Sequence, residues 1–80
     1  MYRDFSHLKD ILDSAKNAVS YLSDTSFDKF TNDEILQDAV IRRIEIVGEA
    51  SSRVSEITQV EFPDLPWREM KGMRNLLIHE

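Results

Sequence analysis

The residues best suited to chemistry lie at the end of the chain, which closes Gly72-Met73-Arg74-Asn75-Leu76-Leu77-Ile78-His79-Glu80. At about 100° per residue on a helix, with Arg74 at zero, Ile78 falls near 40°, Asn75 near 100° and His79 near 140°. Arg74, Asn75 and His79 then share one side. Met70, Met73, Leu76 and Leu77 are assigned to the opposite, core-facing arc. A permanent cation, an amide and a group titrating near neutral pH are what phosphodiester cleavage could use. Arg74 can hold a phosphate and stabilise charge that builds in the transition state. His79 can move a proton, with Asn75 supporting between them. A polar helix face carrying Arg and His also arises by chance, so the spacing alone leaves a solvated face open.

No other cluster competes. His7 reads as a boundary residue of the first helix. His79 lacks a second His at the i+4 spacing of helical zinc sites, so no metal site is expected. With no Cys in the chain, disulfides and thiolate chemistry are excluded.

Those residues need elements to hold them. Phe5, Leu8, Leu12, Ala15, Val19 and Leu22 recur at helical spacing and predict a helix over about Asp4 to Ser23, with this stripe as its packing face. Asp4 suits the positive end of the helix dipole. Asp24, Thr25 and Ser26 read as a turn. Phe27 and Phe30 then sit on one helical turn that tucks both rings under the bundle. Thr31 and Glu34 match a capping box. Leu36, Val40, Ile44, Val47, Ser51, Val54 and Ile57 predict a second helix over about Asn32 to Thr58. Ile35, Ala39, Ile46 and Ala50 widen its apolar face. Glu49 and Arg53 form an i,i+4 pair worth about 0.3–0.5 kcal/mol. Together with Arg43 and Glu45 they either line a cleft between two copies or orient Arg74, or they form a solvated face. Glu61 to Trp67, with Pro63 and Pro66, reads as a connection. Pro66 can open a helical turn. Gly72 is expected to interrupt that turn, so that a short last helix starts near Met73. The fold class is all-α: an antiparallel bundle of two long helices and a short C-terminal one.

Eighty residues make one domain, 1–80, with a modest core that gains from a partner surface. A second copy is expected to cover the apolar face of residues 35–57. Trp67 reads as a lid on the core. The net charge is −5, with −4 on residues 1–40 and −1 on residues 41–80. Such a chain is a poor non-specific binder of nucleic acid, because that affinity comes from Lys and Arg on phosphates. No apolar run approaches the roughly 18 residues of a membrane span. The charged start lacks the apolar centre of a signal peptide, which predicts a cytoplasmic protein.

Arg74-x4-His79 matches the R-x4–6-H motif of the HEPN superfamily, and the chain resembles the HepT-type toxins of prokaryotic toxin–antitoxin pairs. The likeness covers Tyr2-Arg3-Asp4, Phe27 to Phe30 and Asp38-Ala39-Val40. It continues through Arg43 to Ala50, Pro66-Trp67, Met70 to Asn75 and His79. The resemblance implies an all-α homodimer and a metal-independent endoribonuclease without a cofactor. Arg74 and His79, supported by Asn75, would be catalytic at a cleft between protomers. The RNA's own 2′-hydroxyl attacks the adjacent phosphate and leaves a cyclic phosphate end. It also implies a partner, a minimal nucleotidyltransferase that neutralises the toxin in a type II/VII-like system, in some members by transferring AMP to a Tyr. That motif runs R-x4-H-x-Y, so its Tyr falls one residue past Glu80. Residues 1–80 are therefore read as a C-terminally truncated domain with weak or no cleavage. The alternative is a non-catalytic helical dimer that docks the nucleotidyltransferase.

Overall fold

The structure, a computed structural model, describes the backbone of residues 2–78 and the side chains of residues 4–73. Five helices occur in order, and there is no strand among the described residues: α1 (Tyr2–Leu22), α2 (Phe27–Thr31), α3 (Glu34–Arg53), α4 (Glu56–Glu61) and α5 (Trp67–Ile78). The all-α expectation holds. The central element is α3, against which α1 and α5 both pack. Val47 and Val54 of α3 and its flank form a core with Trp67 and Met70 of α5, closed by Leu8, Ile11 and Met73.

The expected apolar stripe is not the face that α1 presents to α3. Phe5, Leu12 and Val19 are 65%, 53% and 70% exposed. Asp4 and Ser14 are buried instead, with Leu8, Ile11 and Ala18 half-buried beside them. The physical reason lies at the helix start. The Asp4 carboxylate accepts hydrogen bonds from Ser55 N (3.0 Å), Ser55 Oγ (2.6 Å) and Thr58 Oγ1 (2.5 Å). Hydrogen bonds to an ionised acceptor are roughly twice as strong as neutral ones. They fix the rotation of α1 so that the Asp4–Leu8–Ile11 side faces inward.

The same contact corrects the expected second helix. It ends at Arg53 rather than near Thr58, because Val54 turns extended (φ −70°, ψ 135°) and Ser55 caps a separate α4. In an unbroken helix the Ser55 N–H would be taken up by the preceding turn. The break releases it to Asp4. Val40, Val47, Ala50 and Val54 are then buried within the chain by α1 and α5. The apolar face expected to await a second copy is thus largely covered already.

Two other expectations change. Phe27 is 80% exposed, so only Phe30 of that pair is partly covered. The start of α3 is capped by Asp33, whose carboxylate accepts from Leu36 N at 3.0 Å, rather than by Thr31. Thr31 closes α2 by donating to Asp28 O at 3.0 Å. Asp is as good an N-cap as Ser or Thr, and it stands one residue before Glu34.

The hydrogen bonds from Ser55 and Thr58 lower the Asp4 pKa from 3.8 to about 2. Its contribution to stability is therefore complete above the unfolded value and is lost as pH falls through the folded one. Melting temperatures of the wild type and Asp4→Asn, followed from neutral pH to about pH 2, check this. The wild type should melt clearly higher at neutral pH, and the gap should close below about pH 4. A gap that persists to the acid end would contradict the assignment.

Candidate functional site

The expected site lies on α5, and its anchoring begins with Pro66. Pro66 O accepts Met70 N at 2.9 Å in the first turn. Trp67, only 8% exposed, donates Nε1 to Phe62 O at 2.9 Å. Lys71 Nζ donates to Gln59 Oε1 at 3.1 Å, and Gln59 Nε2 donates to Val54 O at 2.8 Å. These bonds tie α5 to the α3–α4 corner, which Asp4 holds from the other side.

Gly72 does not interrupt the helix, contrary to expectation: α5 runs unbroken from Trp67 to Ile78. One mid-helix glycine costs about 1 kcal/mol relative to Ala. The packing of Trp67, Met70 and Met73 on either side of it outweighs that. A Cβ at Gly72 meets nothing within 4 Å. Gly72→Ala should therefore raise stability by roughly 0.4–1 kcal/mol in chemical denaturation. A loss would show that the glycine is needed there.

The unbroken helix also revises the wheel. Arg74 lies two turns beyond Trp67 and one beyond Met70, so by backbone register it continues their stripe. Met70 does not belong to the arc opposite Arg74. The side chains of Arg74 and Asn75 and the whole of His79 lie outside the described residues.

Arg43, Glu49 and Arg53, read from the sequence as lining a cleft or a solvated face, line a second polar feature, and Glu45 is not among its lining residues. Between α1 and α3 runs an open groove of about 500 Å³. His7, Asp10, Asp13 and Asn17 line it from α1. Arg42, Arg43, Glu49 and Arg53 line it from α3. Ser14, Ile46 and Ala50 lie between. The Glu49–Arg53 pair forms as expected, with Arg53 Nη2 2.9 Å from Glu49 Oε1. Lys9 pairs with Asp13 at 2.8 Å, and the hydrogen bond from Lys9 to Asp13 raises the Lys9 pKa. Both pairs run along one helix, and no ion pair crosses the groove among the described residues. Arg43 Nε is shut off from solvent without an acceptor there. The sequence pointed to part of the α3 wall through Arg43, Glu49 and Arg53 and not to the α1 wall, because the two walls come from helices far apart in sequence.

The family described as "Ribonuclease HepT-like" matches residues 11–80. A Methanocaldococcus jannaschii protein named as a candidate RNase is 42% identical over 73 residues, covering 91% of this chain and 67% of that protein. A second protein of the same organism, also named as a candidate RNase, is 39% identical over 72 residues, covering 90% of this chain and 60% of its own length. A Thermococcus cleftensis protein named as a candidate ribonuclease HepT is 38% identical over 73 residues, covering 91% and 66%. The chain thus spans about two thirds or less of the length of these relatives. No solved structure matches it. No helix is long and apolar enough, among the described residues, to cross a membrane.

Proposed function

The chain belongs to the ribonuclease HepT-like family of the HEPN superfamily, and on that premise we propose that it is a metal-independent endoribonuclease toxin acting through Arg74 and His79. The observation that carries the reading is the family match over residues 11–80, which includes the whole Arg74-x4-His79 motif. The fold supports it by anchoring α5 at Trp67 and Met70, two turns and one turn ahead of Arg74.

In this reading Arg74 holds the scissile phosphate and offsets the charge of the pentacoordinate transition state. His79 relays protons between the attacking 2′-hydroxyl and the leaving 5′-oxygen. The 2′-oxygen bonds to phosphorus as the bond to the 5′-oxygen breaks, which leaves a 2′,3′-cyclic end. Asn75 supports both. Two copies pair, and a minimal nucleotidyltransferase neutralises the toxin in a type II/VII-like pair. The exposed side chains of Phe5, Leu12 and Val19 give a protein partner an apolar surface to cover. The place of action would be the cytoplasm, where RNA and such a partner are met.

Incubation with single-stranded RNA in excess chelator tests the activity. Cleavage leaving cyclic phosphate ends is expected. RNA left intact would favour the non-catalytic docking module instead, and binding of a nucleotidyltransferase without cleavage would be its signature.

A further inference from the structure

We propose that the outward face of α4, with the apolar pocket beside it, is a docking surface for a basic, apolar peptide segment of another protein. The proposal stands apart from the ribonuclease reading, since none of its residues belongs to the Arg74–His79 motif.

Helix α4 is amphipathic the wrong way round. A surface helix ordinarily turns its apolar residues inward and its polar ones to water. Here Thr58 is buried, while Ile57 and Val60 are each 75% exposed. The cause is the Asp4 carboxylate, which accepts from Ser55 and Thr58 and pins the polar side of α4 against the start of α1. Rotating α4 to hide Ile57 and Val60 would strip a buried carboxylate of its donors. Ile57 and Val60 are three apart, so they form one outward ridge.

A pocket adjoins the ridge. Ile57 lies one helical turn ahead of Glu61, and Glu61 borders a cavity of about 120 Å³ whose apolar walls are Phe5, Leu8 and Phe62. An apolar cavity of about 150 Å³ holds a benzene-sized group, so this one is on the scale of a single large side chain. Phe5 and Phe62 are themselves exposed. Contiguous exposed apolar surface with a polar rim marks a site of protein contact.

Charge decides the occupant. Glu56 and Glu61 flank the ridge, and Asp64 follows on the connection, with no Lys or Arg from Val54 to Trp67. These carboxylates form no ion pair among the described residues. Lys71 bonds to Gln59 on the α5 side of α4, away from the ridge. The phosphates of RNA or of a lipid surface are repelled here. A second copy set over this face by a two-fold axis would bring the same carboxylates together. The complement is a segment with Lys or Arg beside a large apolar residue. Its apolar side chain enters the pocket, and its cations meet Glu56 and Glu61.

Selection of short random peptides displayed on phage, against the whole chain at low salt, tests the surface. The recovered peptides should share Lys or Arg next to a large apolar residue. Fluorescein-labelled copies are then titrated and read by anisotropy. Ile57→Ser with Val60→Ser should weaken binding about tenfold or more, and Glu56→Lys with Glu61→Lys about as much. Asp24→Lys with Asp28→Lys makes the same change of net charge elsewhere and should leave binding unchanged. All six positions are exposed, so helix content should be kept, as circular dichroism will show. A selection that recovers no peptide, or only acidic or uncharged ones, would overturn the proposal. So would peptides that bind all three variants as they bind wild type. Self-association lost in the Ile57→Ser, Val60→Ser variant would give the face to a second copy instead. A longer form of the chain that binds none of the peptides would give it to a segment of the same polypeptide.

Discussion

His79→Ala should lower the rate of RNA cleavage by roughly 10²–10⁴-fold, the range for losing a group that carries a proton in the transition state. The effect should fall on kcat more than on KM, because the proton is in motion only at the transition state. Arg74→Ala should cost about 10²–10³-fold through lost charge stabilisation, and it should also weaken RNA binding. The double variant should fall well short of the product of the two, since the residues act on one phosphate. Arg74→Lys should recover only part of the loss, because an ammonium lacks the planar fork that meets two phosphate oxygens. Rates from gel-resolved cleavage, with circular dichroism to confirm unchanged helix content, check each statement. A His79→Ala protein that cuts as fast as wild type would remove His79 from the reaction.

Trp67→Ala should be the most damaging change to the fold. It deletes a large buried side chain from the cluster with Val47, Val54 and Met70, and it removes the donor to Phe62 O. Such truncations cost about 3–5 kcal/mol. A domain of this size is stable by only about 0.05–0.15 kcal/mol per residue, so much of the margin would go. Trp67→Phe should cost far less, as it keeps most of the ring and gives up the N–H. Urea unfolding monitored by far-ultraviolet circular dichroism separates these cases. If Trp67→Ala unfolded at the wild-type midpoint, Trp67 would not anchor α5.

Hydrophobic period located the long helices and the all-α class, because α1 and α3 each keep a helical repeat over several turns. It did not locate the rotation of α1. That depends on Asp4 reaching Ser55, a contact between distant parts of the chain whose strength no local pattern displays. The end of α3 was legible in part: Ser55 before Glu56 is a helix-start signal, and Thr58 supplies the capped N–H. The apolar run through Val54 and Ile57 masked it. At Gly72 the local penalty is real but small beside the packing on both sides, which carries the helix through. The Arg74–His79 motif was visible in the sequence because its residues are neighbours on one segment. The α1–α3 groove was legible only on its α3 side, where Arg43, Glu49 and Arg53 read as a cleft or a solvated face, because each wall alone looks like an ordinary helix surface.

The central claim is cleavage of RNA by its own 2′-hydroxyl, and one measurement addresses it directly. Two RNA oligonucleotides are compared in excess chelator, one all-ribose and one with a single 2′-deoxy nucleotide on the 5′ side of the mapped cut. The all-ribose strand should be cut to a 2′,3′-cyclic phosphate end, and the substituted strand should stay intact at that position. Equal cleavage of both strands, or cleavage of neither, would contradict the account.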